Sequence, residues 1–389
     1  MDVSGKGQGD VYALLLESLL MKRVLGLLLT VLSFVAIGAP CTKTVAAGGN
    51  IQTAVNSAVR GDVICLRGGT YAQNNVWVAA SGITIMNYPG EAPVLYGDGV
   101  TSAAWPTFFT LSGSNIVLSG LEIKNGTFKD QKGVWLRGNT NTVRNMRLEN
   151  IDGIGILITG DDATVENNTV LKAAMGNKDC AQCDPPYWGF GIGSYISYTG
   201  SKTVKSMIIR GNTVSDSWGE GIQAFQAVGA LVENNVAHDN FSTNFYITSS
   251  SGTVLKNNVG YNTVGKRSAR GLTLADEHSF LKSSGTIVTG NYFYNADVAL
   301  YEWTVTPGSG LKDALFSGNS LIDSELIIGW TGRPPGIVHS NSTVRDNLFY
   351  SSQGGSTGTN HWTKGITYMR NLWSPTRPAN AEGIGDILP

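Results

Sequence analysis

One short pattern of apolar and polar positions recurs along the chain: an apolar residue, two variable positions, Asn, one variable position and a second apolar residue. It occurs at Val165, Asn168 and Val170, at Ile209, Asn212 and Val214, at Val232, Asn235 and Ala237, and at Leu255, Asn258 and Gly260. Further copies lie at Val288, Asn291 and Phe293, at Phe316, Asn319 and Leu321, at Val344, Asn347 and Phe349, and at Tyr368, Asn371 and Trp373. Upstream, Leu118, Leu121 and Ile123, then Val143, Met146 and Leu148, keep the pattern with an apolar residue in the Asn column. Successive intervals along that column are 25, 22, 44, 23, 23, 33, 28, 28 and 24 residues; the interval of 44 holds a Cys-rich stretch, 177–187, read as a loop insertion in one coil. A period near 23 is too short for a helical-pair repeat and fits one solenoid coil of three short strands and three turns. Coils stack about 4.8 Å apart. Asn tolerates left-handed backbone and its amide both donates and accepts, so equivalent Asn side chains can bond one another along the axis. The pattern predicts an internal Asn ladder. A turn must fall inside each copy, because Val165, Asn168 and Val170 cannot share one face of an unbroken strand.

Ahead of the repeats, Ile51, Ala54, Val55, Ala58 and Val59 fall at helical spacing between Asn50 and Val59, which predicts a short amphipathic helix. Such a helix would cap the open end of the solenoid core. Residues 61–71, 83–86 and 93–96 read as strands and turns, and no linker breaks the chain between 50 and 375. The expectation is an all-β solenoid with a short N-terminal capping helix, one domain over 42–389.

Composition agrees: 49 Gly with abundant Val, Ile and Asn favour many short strands joined by turns. A formal net charge of −1 gives no electrostatic footprint for nucleic acid or an anionic membrane. It leaves room for a neutral polymer, or for a charged one met through local residues. Lys22 and Arg23 precede an apolar run, Val24 to Ile37, of signal-peptide length and too short to span a bilayer. Ala36 and Gly38, or alternatively Thr44 and Ala46, supply small residues for cleavage, and Met21 stands directly before the basic pair. Residues 1–20 therefore read as an over-extended start and 21–38 as a signal peptide, with a retained anchor as the alternative. The expected location is secreted or periplasmic. Lipid attachment at Cys41 is disfavoured by Pro40. Export fits two disulfides, Cys41 with Cys65 and Cys180 with Cys183. A zinc site would need two further ligands that no second Cys pair or His pair provides.

Between Gly61 and Thr70, and between Tyr88 and Val94, the chain resembles the opening coils of bacterial right-handed parallel β-helix polysaccharide lyases of the alginate, chondroitin and pectate type. The Asn repeats resemble the general right-handed β-helix repeat family. The stretches Trp218 to Ile222, Val236 to Asn240 and Leu274 to Glu277 look like exported β-helix proteins without an assigned activity. The resemblance covers nearly the whole mature chain and implies a right-handed parallel β-helix acting on polysaccharide. It does not carry catalytic residues across, because fold does not specify reaction. Of the motifs of pectin hydrolases only Asp161 and Asp162 are present, in a turn, and no Asp cluster suited to calcium stands beside Lys256 or Lys266. Calcium is left open as a cofactor.

In a solenoid, outward residues of successive coils form columns. Taking Ile154, Ile192, Ile222, Phe245, Leu272 and Leu300 as inward, one outward column becomes Gly155, Gly193, Gln223, Tyr246, Thr273 and Tyr301. A second becomes Leu157, Tyr195, Phe225, Thr248, Ala275 and Trp303. With Trp218, the residues Tyr195, Gln223, Phe225, Tyr301 and Trp303 are candidates for stacking on and bonding sugars, unless a loop covers them. Asp152 and Glu220 fall at equivalent positions before Gly153 and Gly221, about 10 Å apart if two coils separate them, near the upper end for an inverting hydrolase pair. Asp276, Glu277 and His278 end another strand, Glu302 falls at an inward position, and Lys266, Arg267 and Arg270 crowd the longest coil. For elimination, Tyr246, His238 or His278 would serve as base and Arg270 as the cation that neutralises a uronate. The candidate catalytic set is Glu220, Tyr246, Arg270, Glu277 and Asp152.

Three functions follow: a polysaccharide lyase or glycoside hydrolase acting on an acidic or plant or microbial glycan, a non-catalytic glycan-binding or surface protein, or a structural spacer. The expected partner is polysaccharide, not nucleic acid, met by a monomer that does not span the membrane.

Overall fold

Each coil lays down three short strands in turn, and each strand pairs in parallel with its equivalent one coil further on. The computed structural model describes residues 40–97, 106–179, 188–195, 202–266, 270–278, 280–301, 307–329, 336–360 and 364–388. The proposed signal peptide, the Cys180–Cys183 pair, most of the 177–187 insertion, and Arg267, Glu302 and Trp303 lie outside them. Among the described residues a first sheet of 14 strands runs from Lys43–Val45 to Gly383–Ile384, a second of 12 from Gly69–Tyr71 to Leu372–Ser374, and a third of 11 from Val76–Val78 to Gly358–Asn360. All belong to one unit, Cys41–Pro389. The expected all-β parallel solenoid is what forms, and no described helix is long and apolar enough to cross a membrane.

The ladder forms as the repeat predicts. Asn168, Asn212, Asn235, Asn258, Asn291, Asn319, Asn347 and Asn371 are all buried. Each Oδ1 from Asn212 onward accepts the backbone N–H and the Nδ2 of the Asn one coil earlier, at 2.9–3.1 Å. Each Nδ2 also donates to a carbonyl of the preceding coil, as Asn235 does to Ile209 at 2.9 Å. The ladder starts at Met146, whose N–H donates to Asn168. It stops at Asp386, which accepts from Asn371 N–H and from the Trp373 indole. The left-handed residue is not the ladder Asn but the one before it: Asn167, Asn234, Asn257, Asp346 and Arg370 have φ between 51° and 56°, and Gly211, Gly290 and Gly318 replace them elsewhere. That single residue turns the chain from the first sheet into the second, which is how the turn fits inside the motif.

The N-terminal cap is the helix Ile51–Asn56, shorter than the spacing suggested. Asn50 caps it by accepting from Thr53 N–H at 2.9 Å. Ile51 and Val55 are buried on the core, whereas Val59 lies past the helix and is exposed. The predicted disulfide joins Cys41 to Cys65 and ties the first coil's leading segment to the strand Val63–Leu66.

The third sheet corrects the register read from sequence. Ile156, not Ile154, pairs with Ile192, followed by Ile222, Phe245, Leu272 and Val298 in one buried column. Two Gly-Ile pairs stand in tandem at 153–156, and the chain uses the second. Ile154 instead joins Leu157 and Phe190 in a separate apolar cluster, against which Trp135 and Tyr195 pack. Leu300 is inward as expected but pairs with Leu274.

Asn235→Ala would strand the buried N–H of Asn212 and remove the side-chain bond to the Ile209 carbonyl, while the Asn212 amide keeps the Val165 and Arg210 carbonyls. At roughly 1–3 kcal/mol for a buried unsatisfied group, we expect a loss of about 2 kcal/mol in urea unfolding. Gln353→Ala, at an exposed side chain, should change it little. Cys41→Ser with Cys65→Ser opens a link with a sequence separation of 24. The expected cost is about 3 kcal/mol, with hydrogen-exchange protection lost first in the strands nearest the cap.

Candidate functional site

The strand Glu220–Phe225 begins where the third sheet meets the turn from the second. Close packing at this corner demands glycine: a Cβ on Gly191, one coil earlier, would lie 2.4 Å from Val214 and 2.5 Å from the Gly221 carbonyl. Ile222, after the glycine, joins the main core, whereas Glu220, before it, does not. Glu220 pairs with Phe190 of the preceding coil, and that phenylalanine belongs to the separate apolar cluster. A carboxyl is thereby held beside apolar neighbours on the outer side of the sheet.

Glu220 is only 7% exposed. The Trp188 indole N–H donates to its Oε2 at 2.6 Å, and the Ser242 side chain bonds it too. Burial pushes its carboxyl up to about 7, and the nearby charge of Glu277 adds to this, against the opposing pull of the Trp188 and Ser242 hydrogen bonds. Loss of hydration in an apolar setting is the usual way a carboxyl stays protonated near neutrality. Glu277 is itself half-exposed, with its backbone N–H on the Thr248 hydroxyl.

Aromatic rings rim this carboxyl. Trp218 stacks on Phe241 with centroids 5.0 Å apart and planes 24° from parallel, and Trp188 tilts against Phe241 at 6.5 Å. Phe241 remains 46% exposed. The pairing of Phe190 with Glu220 makes Trp188 and Trp218 equivalents on successive coils. Trp188 and Phe241 escaped the sequence reading, yet the signal was present: Trp188-Gly189 and Trp218-Gly219 precede the same Gly-Ile step.

Other candidates fall elsewhere. Asp152 is not the equivalent of Glu220, since the corrected register puts Ile154 there. Its carboxylate accepts from Asp130 N–H at 2.7 Å, and burial raises its pKa. Arg270 lies in the Glu220 column beyond Thr243, but its guanidinium is held by Asp297 at 2.5 Å. Gln223, Tyr246 and Thr273 do share one column, with Leu157 and Gly193 before them, and all three are buried rather than open. Gln223 donates to the Ser194 carbonyl at 2.9 Å. Phe225 is buried and packs against Tyr195 at 5.4 Å. Tyr301, expected outward, is 1% exposed in the main core and meets His339 edge-on; Ala299 takes its place in the column. His238 stands on the second sheet, stacked on Tyr261 at 4.5 Å and bonded to Asp239. His278 is buried, with Nδ1 accepting from Phe280 N–H. Among the described residues no group of three or more His, Cys, Asp or Glu side chains converges.

Comparison with known proteins places this geometry in a wider group. A Pel9A-like right-handed β-helix region matches residues 39–192, and a general right-handed β-helix region matches residues 133–321. No curated protein sequence matches the chain. Among solved structures, it is similar to the PL6-family alginate lyase AlyGC, at 16% identity and TM-score 0.57, covering 89% of this chain and 53% of that one. The Dettilon tailspike protein gives 12% identity and TM-score 0.59, with 86% and 64% covered. The GH136 lacto-N-biosidase from Eubacterium ramulus gives 15% and 0.56, with 89% and 68% covered. The chain thus spans about half the length of the alginate lyase and under two thirds of the tailspike. Profile matches, parallel coils and Asn ladder agree that this chain folds as a right-handed parallel β-helix.

Proposed function

We propose that the chain is an exported glycan-active protein that hydrolyses a polysaccharide on the outer side of the third sheet, with Glu220 as general acid and Glu277 as the second carboxylate. One observation carries the reading: a carboxyl with its pKa raised to about 7 by burial and held by Trp188, with the charge of Glu277 acting on it and an exposed aromatic rim around it. A carboxyl kept protonated by its surroundings, working with a second carboxylate, is the usual division of labour at a glycosidic bond. Glu220, protonated at neutral pH, would give its proton to the departing glycosidic oxygen. Glu277, more open to solvent, would act as base toward water or as nucleophile at the anomeric carbon. Trp218 and Phe241 would stack on a sugar face and exclude water from the bond being broken. The named activities of the alginate lyase and the lacto-N-biosidase show that similar folds handle glycans, and the Cys41–Cys65 disulfide suits an oxidising compartment.

Glu220→Gln keeps the shape and the Trp188 contact but removes the proton. Glycan binding should persist while release of reducing ends falls at least about 100-fold, the usual scale for a general acid. Unchanged turnover would remove Glu220 from the chemistry. Bound glycan with no turnover in the wild type would leave a binding protein, and an unsaturated product would mark elimination instead.

The raised pKa also fixes the pH dependence. The rate should fall as pH rises above about 7, because the acid form is then lost. Stability should be greatest with Glu220 protonated and decline as pH rises from the model-compound value of 4.5 through about 7. The decline should be about 3 kcal/mol, seen as a difference in pH-dependent urea midpoints between wild type and Glu220→Gln.

A further inference from the structure

We propose that Trp77, Arg137 and Trp135 form a second glycan subsite on the third sheet, built to recognise a carboxylate, so that the polymer handled carries uronate residues. The inference rests on the glycan-active reading above and adds the substrate's charge. Trp77, Thr110 and Trp135 are register partners on three successive third-sheet strands. The two indoles therefore flank a small residue, itself only 3% exposed. The Arg137 guanidinium carbon lies 5.4 Å from the centroid of each indole, within cation–π range of both.

The Trp77 backbone and the Trp135 ring are each anchored. The capping helix supplies Gln52, which accepts from the Trp77 backbone N–H at 2.7 Å and donates to its carbonyl at 3.0 Å. The Trp135 indole N–H donates to the Thr159 hydroxyl at 2.8 Å. Trp77 nonetheless keeps 43% of its surface exposed.

Among the described residues the charge has no carboxylate counterpart. Arg67, Arg210, Arg270 and Arg370 are each tied to a carboxylate, whereas Arg137 is exposed and joins no ion pair among the described residues. Held by two indoles, the guanidinium keeps its N–H donors for an incoming group. A planar carboxylate fits that edge in a two-bonded geometry, and the attached sugar ring can lie on the exposed indole. Trp135 and Gln223 are separated by three register steps through Leu157 and Gly193, about 14 Å along the axis. An oligosaccharide lying along the coils can then meet this subsite and the strand that starts at Glu220.

The test is calorimetric binding to the full chain carrying Glu220→Gln, which keeps ligands intact. The probes are oligogalacturonate, oligomannuronate and the methyl ester of each. Adding Arg137→Gln should weaken binding of the preferred free acid at least tenfold and leave its ester unchanged. Arg137→Lys should recover part of the loss, and Trp77→Ala should weaken acid and ester alike. Equal affinities for acid and ester before mutation, no effect of Arg137→Gln, or tighter binding of a single-stranded oligonucleotide than of any uronate would overturn the subsite. If cleavage of a neutral glycan still depended on Glu220, the hydrolase reading would survive that result. No binding or cleavage of any glycan by the wild type would sink both.

Discussion

Within one coil of about two dozen residues, backbone amides find almost no partners, because three short strands facing three directions cannot pair with one another. They pair with the coils above and below, and that constraint governs the rest of the structure. At the sheets the need is met by parallel ladders. At the turn between the first and second sheets it is met by the Asn column, which satisfies its own backbone N–H, its amide and a neighbouring carbonyl at every step. Nothing in that column is left for solvent. The Ile51–Asn56 helix sits at the N-terminal end of the core, and Asp386 receives the last Asn of the ladder.

The same stacking explains why chemistry collects beside the third sheet. Side chains remote in sequence become neighbours one rung apart, so Trp188 of one coil reaches Glu220 of the next, and Phe241 of a third lies on Trp218. Burial of Glu220 is costly in its charged form, and the structure does not cancel the cost with a cation. Loss of hydration, with the charge of a second carboxylate, keeps the proton in place near neutrality against the pull of the Trp188 and Ser242 donors. A merely structural carboxylate is ordinarily treated in the opposite way: Asp239 accepts from Thr263, His238 and Lys266, and its pKa is lowered.

A net charge of −1 averages over features of opposite sense. Most exposed ion pairs here link successive rungs or neighbouring residues, as Arg210 and Glu166 do, and such pairs add little to stability. Arg137 departs from that rule by resting on two indoles instead of an acid. Local pairing, and not the overall charge, therefore decides which cations remain available to a ligand.

Periodicity alone determined the coil, the Asn ladder, the cap and the Cys41–Cys65 bridge, because each depends on residue types recurring at a fixed interval or flanking the first coil. Glu220 was also legible, as an acid wedged between glycines at a strand start. Glu277 stood in the same candidate set but was not paired with it. Asp152 was matched to it through a tandem Gly-Ile repeat that can slip by two residues without changing which side chains alternate, and only backbone pairing selects one register. Tyr301 and Tyr246 show the same limit: alternation tells in from out on a strand, but not whether a turn tucks the ring into the core, as at Tyr301, or whether other groups cover the outer face, as at Tyr246. Trp188 meeting Glu220, Glu277 lending its charge, and Arg137 bridging two indoles are contacts between coils. They arise from how far each rung rises and how each corner bends, and the tertiary structure alone sets those distances.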